Sequence, residues 1–429
     1  MSAEAERPVN NTDPSDAGTS EAPAASLPEA TPLTVPVVVT TETALAEAIA
    51  GLQAGHGPVF VDAERANGYR YSSRAYLVQL YREGSDAVLI DPIAITDFTP
   101  LQEALADLVW VFHAASQDLP CLRELGLEPP KIFDTELGGR LAGFERVGLA
   151  VMVEKLLGLH LPKAHSAADW STRPLPQAWL DYAALDVELL PEIYHKLTVI
   201  LDEQGKTAIA QQEFDAVLNR DPKPPAAEPW RRLSGIHTIS DRKVLAVARE
   251  LWHARDEYAR SIDSAPGRLI ADGALVVAAQ SKARTAPMLL GEKGFHGRTA
   301  KSELHRWWAA IERGRASTDL PATRVKSDGP PPPRFWSSKR PLAAAMLQAS
   351  KSTVGEVAEE LGMPVENLLT PDTLRRLCWS EVAATTDAVA EGLRELGARP
   401  WQVEATAQRI ATSFVDALQK VSASPASES

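Results

Sequence analysis

Two acids two residues apart, Asp62 and Glu64, end the apolar run Val59-Phe60-Val61. In a strand, residues two apart point to the same face. Two carboxylates therefore project together from an apolar element, where repulsion and burial both disfavour their charge. A cation compensates such a pair, and a divalent metal is the leading candidate. Two further acids can complete its ligand set. Asp118 stands at the opening turn of a helix expected after the strand 109–113. Asp186 lies on a helix expected over 176–204, with Tyr182 four residues earlier. Positions i and i+4 share a helix face, so the hydroxyl and the carboxylate point together.

Carboxylate oxygens suit Mg²⁺ or Mn²⁺. Two such ions, roughly 3.5–4 Å apart, stabilise the attacking and leaving oxygens of an in-line phosphodiester displacement. The set thus predicts two divalent ions. Asp62 bridges both, Glu64 and Asp186 complete one site, and Asp118 closes the other, directly or through water. Tyr182 orients the attacking water; an ordinary tyrosine pKa of ~10 makes positioning its first task and general base its second. Singly, each feature has a plain reading. Asp-x-Glu pairs arise by chance, a tyrosine four before an aspartate packs on a core, and Asp118 is a favourable charge at a helix N-terminus. Their occurrence in order around the right elements carries the inference.

Those elements are legible in outline. Residues 1–35 hold Glu4, Glu6, Asp13, Asp16, Glu21 and Glu29 against Arg7 and have almost no large apolar residue, so a disordered acidic tail is expected. From 36 to 215 the pattern is mixed α/β. A helix spans 44–52, strands span 58–63, 75–81 and 87–91 with short turns that imply antiparallel neighbours, and a helix spans 100–108. The strand 109–113 follows, with Ser116 expected to cap the next helix. Helices are expected near 134–143, 148–157 and 176–204. The fold class is a mixed sheet flanked by helices. A Pro-rich linker covers 216–232, a helical unit 233–326, a second Pro-rich and basic linker 327–340, a further helical unit 341–421 and a short tail 422–429.

The chain has 429 residues, a net charge of −13 and two distant cysteines, Cys121 and Cys378. That length implies two or three domains. The cysteine count excludes a disulfide framework and suits a reducing cytoplasm. No run of ~18 apolar residues is present, which argues against a membrane span, and no Walker-type phosphate loop is found. The negative total does not exclude a nucleic-acid partner, because residues 280–340 hold thirteen Lys or Arg against five Asp or Glu; such a patch is compatible with phosphate binding.

At this level of detail the chain resembles a known family. VDAERA at 61–66, HAASQDLPCL at 113–122 and DYAALDVELLPEIY at 181–194 are similar to the three exonuclease motifs of the ribonuclease D family, DEDD 3′–5′ exonucleases on a ribonuclease H-like fold. Leu157-Gly158, Leu161, Lys163, DWSTRPLP at 169–176 and Asp134-Thr135 agree as well, so the likeness covers roughly 38–200. It implies that Asp62, Glu64, Asp118 and Asp186 are metal ligands and that Tyr182 orients the water, in the tyrosine subtype, since position 181 is Asp rather than His. Ala63 stands where Thr is usual, with its side chain expected to point away from the metals. Residues 245–279 resemble an HRDC domain, through Trp252, Arg255, Asp263, Pro266, Arg268 and Leu275, and 341–421 resembles a more divergent copy. In the family such modules help bind structured RNA, although a purely structural bundle remains the alternative.

The resemblance implies a cytoplasmic 3′–5′ exoribonuclease that trims RNA with a free 3′ end, tRNA precursors among them, and releases nucleoside 5′-monophosphates. The same chemistry on DNA, or a non-catalytic RNA-binding scaffold, are the rivals. Sequence leaves the oligomeric state open, with a monomer favoured. Lys163, Arg173 and His113 are candidate substrate contacts; surface solvation, or for His113 a structural hydrogen bond, are their alternatives. Trp307-Trp308 and Phe335-Trp336 lie among basic residues, as base-stacking platforms do, yet tryptophans at helical spacing more often fill a core.

Overall fold

A computed structural model describes residues 27–162, 165–222, 224–324 and 329–423. Its centre is a six-stranded mixed sheet: β1 (Val38–Val39), β2 (His56–Arg65), β3 (Ala75–Glu83), β4 (Val88–Ile90), β5 (Val109–Phe112) and β6 (Lys131–Asp134), in the order β1-β4-β3-β2-β5-β6. The short connections give antiparallel pairs β2–β3 and β3–β4, as expected. β2–β5, β5–β6 and β1–β4 are parallel. β1 and β6 were not among the expected strands: at two and four residues they are too short to show alternation.

β2 sits mid-sheet and shows why period two matters. Val59, Val61 and Ala63 face a core shared with Val78 and Leu80 of β3. Leu45 and Leu52 of α1 (Glu42–Ala54), Leu101 and Leu105 of α2 (Thr99–Leu105) and Leu122 of α3 (Leu119–Glu124) cover that face. Ala63 therefore points away from the two acids. On the other face Phe60 packs with Tyr81, Val111, Val187 and Leu190. α4 (Thr135–Leu141) follows β6, and α5 (Leu149–Met152) runs into a π-helical turn, Val153–Leu157. The long helix expected over 176–204 is two, α6 (Gln177–Glu188) and α7 (Leu190–Glu203), divided at Leu189. Pro191 causes the division: it lacks an N–H and is tolerated only in the first turn of a helix. Ser116 does not cap α3; it lies in a 3₁₀ turn, Ala115–Gln117, entered through Ala114 at φ 68°.

The rest of the described chain is helical. Trp230, Leu245, Leu251, Leu275, Phe295, Trp307 and Ile311 form one separate core. Trp307 is fully buried there, so it is no stacking platform. The unit is tied to the β2–β3 loop: Asp263 accepts from the backbone N–H groups of Tyr71 and Ser72, and the Tyr71 hydroxyl donates to Asp256. The last helices, Pro341–Glu360, Pro371–Trp379, Thr386–Glu395 and Pro400–Ala423, share a continuous core with the sheet domain through Phe214 of α8 (Thr207–Leu218).

Two segments expected to be unstructured are packed where described. Trp336, in the expected second linker, is fully buried and donates its indole N–H to the Pro331 carbonyl at 2.7 Å. Within the expected tail, Ala30 is buried, Glu29 bridges His160, and the Leu33 N–H donates to Glu188. Tertiary partners far along the chain override weak local signals in both cases. Residues 1–26 and 424–429 lie outside the described residues. Among the described residues no helix is long and apolar enough to cross a membrane.

Candidate active site

The sheet brings the separated acids together. Asp62 and Glu64 leave the same face of β2, and α6 crosses that face with Asp186 on its underside. Carboxylate oxygens of Asp62, Glu64 and Asp186 all lie within 4.8 Å of one another. Asp118 opens α3 and lines the same cavity of about 700 Å³, together with Tyr182. Asp118 does not cap its helix, so its carboxylate is not consumed there.

A different acid fixes the turn that carries Asp118. Asp134, at the end of β6, accepts from the backbone N–H groups of Ala114 and Ala115 at 3.0 and 2.9 Å and from those of Glu136 and Leu137 at the start of α4. One buried side chain thereby joins the β5–α3 turn to the α4 N-terminus. Its likeness to the family motif reflects this scaffold duty.

The electrostatics of the cluster are those of an anionic site without a counterion. Burial, opposed by a backbone N–H bond and by Arg65, raises Asp62 to about 6. Glu64, Asp118 and Asp186 are also pushed well above the ordinary carboxylate range, first by burial and then by one another. None of the four makes a salt bridge among the described residues, whereas Asp91, Glu213 and Asp256 each meet an arginine. Tyr182 is raised above its ordinary value by burial and by the nearby charge of Asp186. Its hydroxyl therefore keeps its proton near neutrality. An all-oxygen, tightly gathered, anionic donor set fits hard divalent cations.

The remaining sequence candidates separate. His113 lines the cavity, but it is half-buried, its pKa is lowered to about 4 chiefly by loss of solvent, and it is hydrogen-bonded to Thr135 at 2.9 Å. It is a neutral wall residue. Arg173 is corrected: all five of its N–H donors are occupied, two by Asp91 and three by the carbonyls of Tyr76, Trp170 and Thr172. It ties the 170–173 turn to β3 and the β4 end and has no donor left for a phosphate. Lys163 lies outside the described residues. The sequence reading missed Arg65, Gln117 and His165, which all line the cavity. His165, at φ 70°, sits 6.1 Å from the Tyr182 ring and 5.8 Å from the Trp179 ring. Of the three, only Arg65 left a signal, as a cation directly after Asp-x-Glu.

Comparison with known proteins places the chain among exonucleases. Residues 36–202 match a family described as 3′–5′ exonuclease, and residues 329–414 match one described as 3′ to 5′ exonuclease C-terminal domain. The second match begins ahead of Trp336, within the segment expected as a linker. Ribonuclease D of Granulibacter bethesdensis is 35% identical over 328 residues, spanning 72% of this chain and 79% of that protein. Ribonuclease D of Escherichia coli K12 is 29% identical over 348 residues, 79% of this chain and 89% of that protein. Among solved structures, a protein from Bifidobacterium adolescentis superposes with a TM-score of 0.83 at 37% identity, covering 90% of this chain and all of that one. E. coli RNase D, described as an exoribonuclease involved in structured RNA processing, gives a TM-score of 0.62 at 25% identity, covering 85% and 98%.

Proposed function

The chain belongs to the ribonuclease D family and is a 3′–5′ exoribonuclease, and from that premise we propose that Asp62, Glu64, Asp118 and Asp186 hold two divalent cations, Mg²⁺ or Mn²⁺, at its catalytic centre. The observation that carries this reading is the convergence of three mutually close carboxylates and a fourth in one cavity, none of them in an ion pair among the described residues. When bound, the ions supply Lewis acidity and charge neutralisation at the scissile phosphate. Asp62, Glu64, Asp186 and Asp118 would together hold the ions. Tyr182, protonated and beside Asp186, would orient the attacking water. Water attacks the terminal phosphodiester, the bond to the 3′ oxygen of the preceding nucleotide breaks, and a nucleoside 5′-monophosphate leaves.

All five side chains come from one chain, so a monomer suffices for the chemistry. The substrate we favour is structured RNA with a free 3′ end, such as a tRNA precursor, acted on in the cytoplasm. Five exposed cations of the helical unit 233–326 support that choice: Lys282, Arg284, Lys293, Arg298 and Lys301 have no carboxylate partner among the described residues and can follow a phosphate backbone.

Incubating the purified chain with Mn²⁺ and 5′-labelled, 3′-extended RNA or matched DNA tests the proposal. RNA shortens from its 3′ end, EDTA stops it, and Asp62→Asn abolishes it while the chain stays folded. Retained turnover in both Asp62→Asn and Asp186→Asn overturns the ligand assignment, and preferential digestion of DNA overturns the substrate.

A further inference from the structure

Arg65 is the last residue of β2 and directly follows Glu64. Glu64 pairs with Leu77 and Arg65 with Ala75, so one extra residue, Tyr76, sits on β3 at this point. The alternation of β2 continues past it, and Arg65 leaves the strand end on the Ala63 side, where its charge is felt at Cys121 of α3 as well as at the acids. From that open end of the strand Arg65 lines the same cavity as Asp62, Glu64, Asp118 and Tyr182.

Its electrostatic position is unusual. Its charge is felt at Asp62, Glu64 and Asp118, yet it makes no ion pair with any of them and no side-chain hydrogen bond among the described residues. An internal counterion would be in direct contact with a carboxylate, as Arg173 is with Asp91 at 2.6 Å. The charge count points the same way: four carboxylates are neutralised by two divalent cations, which leaves the Arg65 charge over. The next anion to enter is the phosphodiester, which carries one negative charge.

We propose that Arg65 binds the scissile phosphate of the RNA 3′ end, its guanidinium donating to a non-bridging oxygen. The assignment rests on the exonuclease reading and adds to it a substrate-binding residue that Asp-x-Glu spacing does not imply. Arginine suits the task because its planar fork donates two parallel N–H bonds to a phosphate, whereas lysine offers a point charge.

The test uses the full chain, Arg65→Met and Arg65→Lys, with three readings: RNA shortening in Mn²⁺, calorimetric binding of adenosine 5′-monophosphate in Mn²⁺, and binding of Mn²⁺ alone. Arg65→Met weakens AMP binding and lowers kcat/KM by about 10- to 100-fold, the worth of a charge-assisted bond. Arg65→Lys recovers part of both, and serves as the test should the Met variant not fold. Mn²⁺ binding stays the same or tightens, because a nearby positive charge is gone. Unchanged AMP affinity and kcat/KM in both variants, with tighter Mn²⁺ binding, overturns the assignment and makes Arg65 a counterion. A parent chain that binds AMP but shortens no RNA overturns the exonuclease reading instead, and AMP affinity still reads Arg65; a parent that binds no AMP overturns both.

Discussion

Asp186 and Glu213 are carboxylates of equal burial, 7% and 6% exposed, in two regions of one domain, and they are treated in opposite ways. Glu213 on α8 receives the Arg399 guanidinium at 2.6 Å and the Trp401 indole N–H at 2.7 Å. Both partners come from the last helical segment, so the pair docks that segment on the exonuclease domain. Asp186 makes no ion pair among the described residues, lies beside the Tyr182 hydroxyl, and faces Asp62. A buried charge that is paired and hydrogen-bonded is a structural joint; one surrounded by like charges is tolerated only where something else is meant to bind. The contrast repeats elsewhere. Asp91 is clasped by Arg173 and Asp134 by four backbone N–H groups, while Asp62, Glu64 and Asp118 have no cation in contact.

Exchanging charge for a neutral amide at both positions breaks or sharpens this contrast. Asp186→Asn lowers the rate of RNA shortening by about 10³-fold or more and leaves the metal-free chain as stable as before, or more so, because a like-charge repulsion is removed. Glu213→Gln does the reverse. It leaves turnover per folded molecule intact and costs roughly 3 kcal/mol in urea denaturation, the low end for breaking a buried pair because Arg399 is 27% exposed. Hydrogen exchange then quickens first in the helices Thr386–Glu395 and Pro400–Ala423. Equal destabilisation of the metal-free chain by the two substitutions would erase the distinction.

The same contrast marks what the sequence discloses. Asp62, Glu64, Asp118, Tyr182 and Asp186 were legible because each sits at a fixed offset within a strong local pattern: the strand end, the helix start, the i, i+4 pair. Arg65 was not, because alternation assigns it to the face opposite Glu64, and no local pattern tells that a strand-end residue reaches the cavity. Arg173 was misread because its partners come from residues 76, 91, 170 and 172, and no local pattern reveals that all five donors are taken. β6 was invisible as a strand, since Lys131-Ile132-Phe133-Asp134 has no alternation and its pairing with β5 is decided by tertiary context. Ala30 shows the converse error, composition read as disorder where packing partners existed, and Trp336 is buried within a segment read as a linker.

Metal and pH together give the next, smaller effect. Asp62 and Asp134 are both raised from 3.8 to about 6, burial first. A carboxyl with a raised folded pKa binds its proton more tightly in the folded chain. Its contribution is therefore complete below about 4 and is lost as pH rises through about 6, on the order of 3 kcal/mol for such a shift. The metal-free chain should thus lose stability between pH 4 and 7 in thermal melts. Saturating Mn²⁺ removes the part due to Asp62, since a bound cation favours its ionised form, and leaves the part due to Asp134, which lies among backbone donors. A slope that Mn²⁺ abolishes entirely, or does not alter, would mean that the two acids are not of different kinds.

Tyr182 tests the boundary between the two kinds at the finest scale. It touches the unpaired acids through its hydroxyl, while its ring packs at 6.4 Å from buried Trp170, so it belongs to scaffold and site at once. Tyr182→Phe keeps the ring and removes only the hydroxyl. With the hydroxyl protonated throughout the neutral range, its loss is the loss of one positioning hydrogen bond, and kcat should fall about 10-fold, equivalent to roughly 1.4 kcal/mol, with KM and melting temperature little changed. The pH–rate profile keeps its shape, because a group that does not titrate cannot set a limb of it. A fall of 10³-fold together with disappearance of an alkaline limb would make Tyr182 a proton acceptor. That outcome would require the neighbouring ions to lower its pKa far below where the buried acids hold it in the metal-free protein.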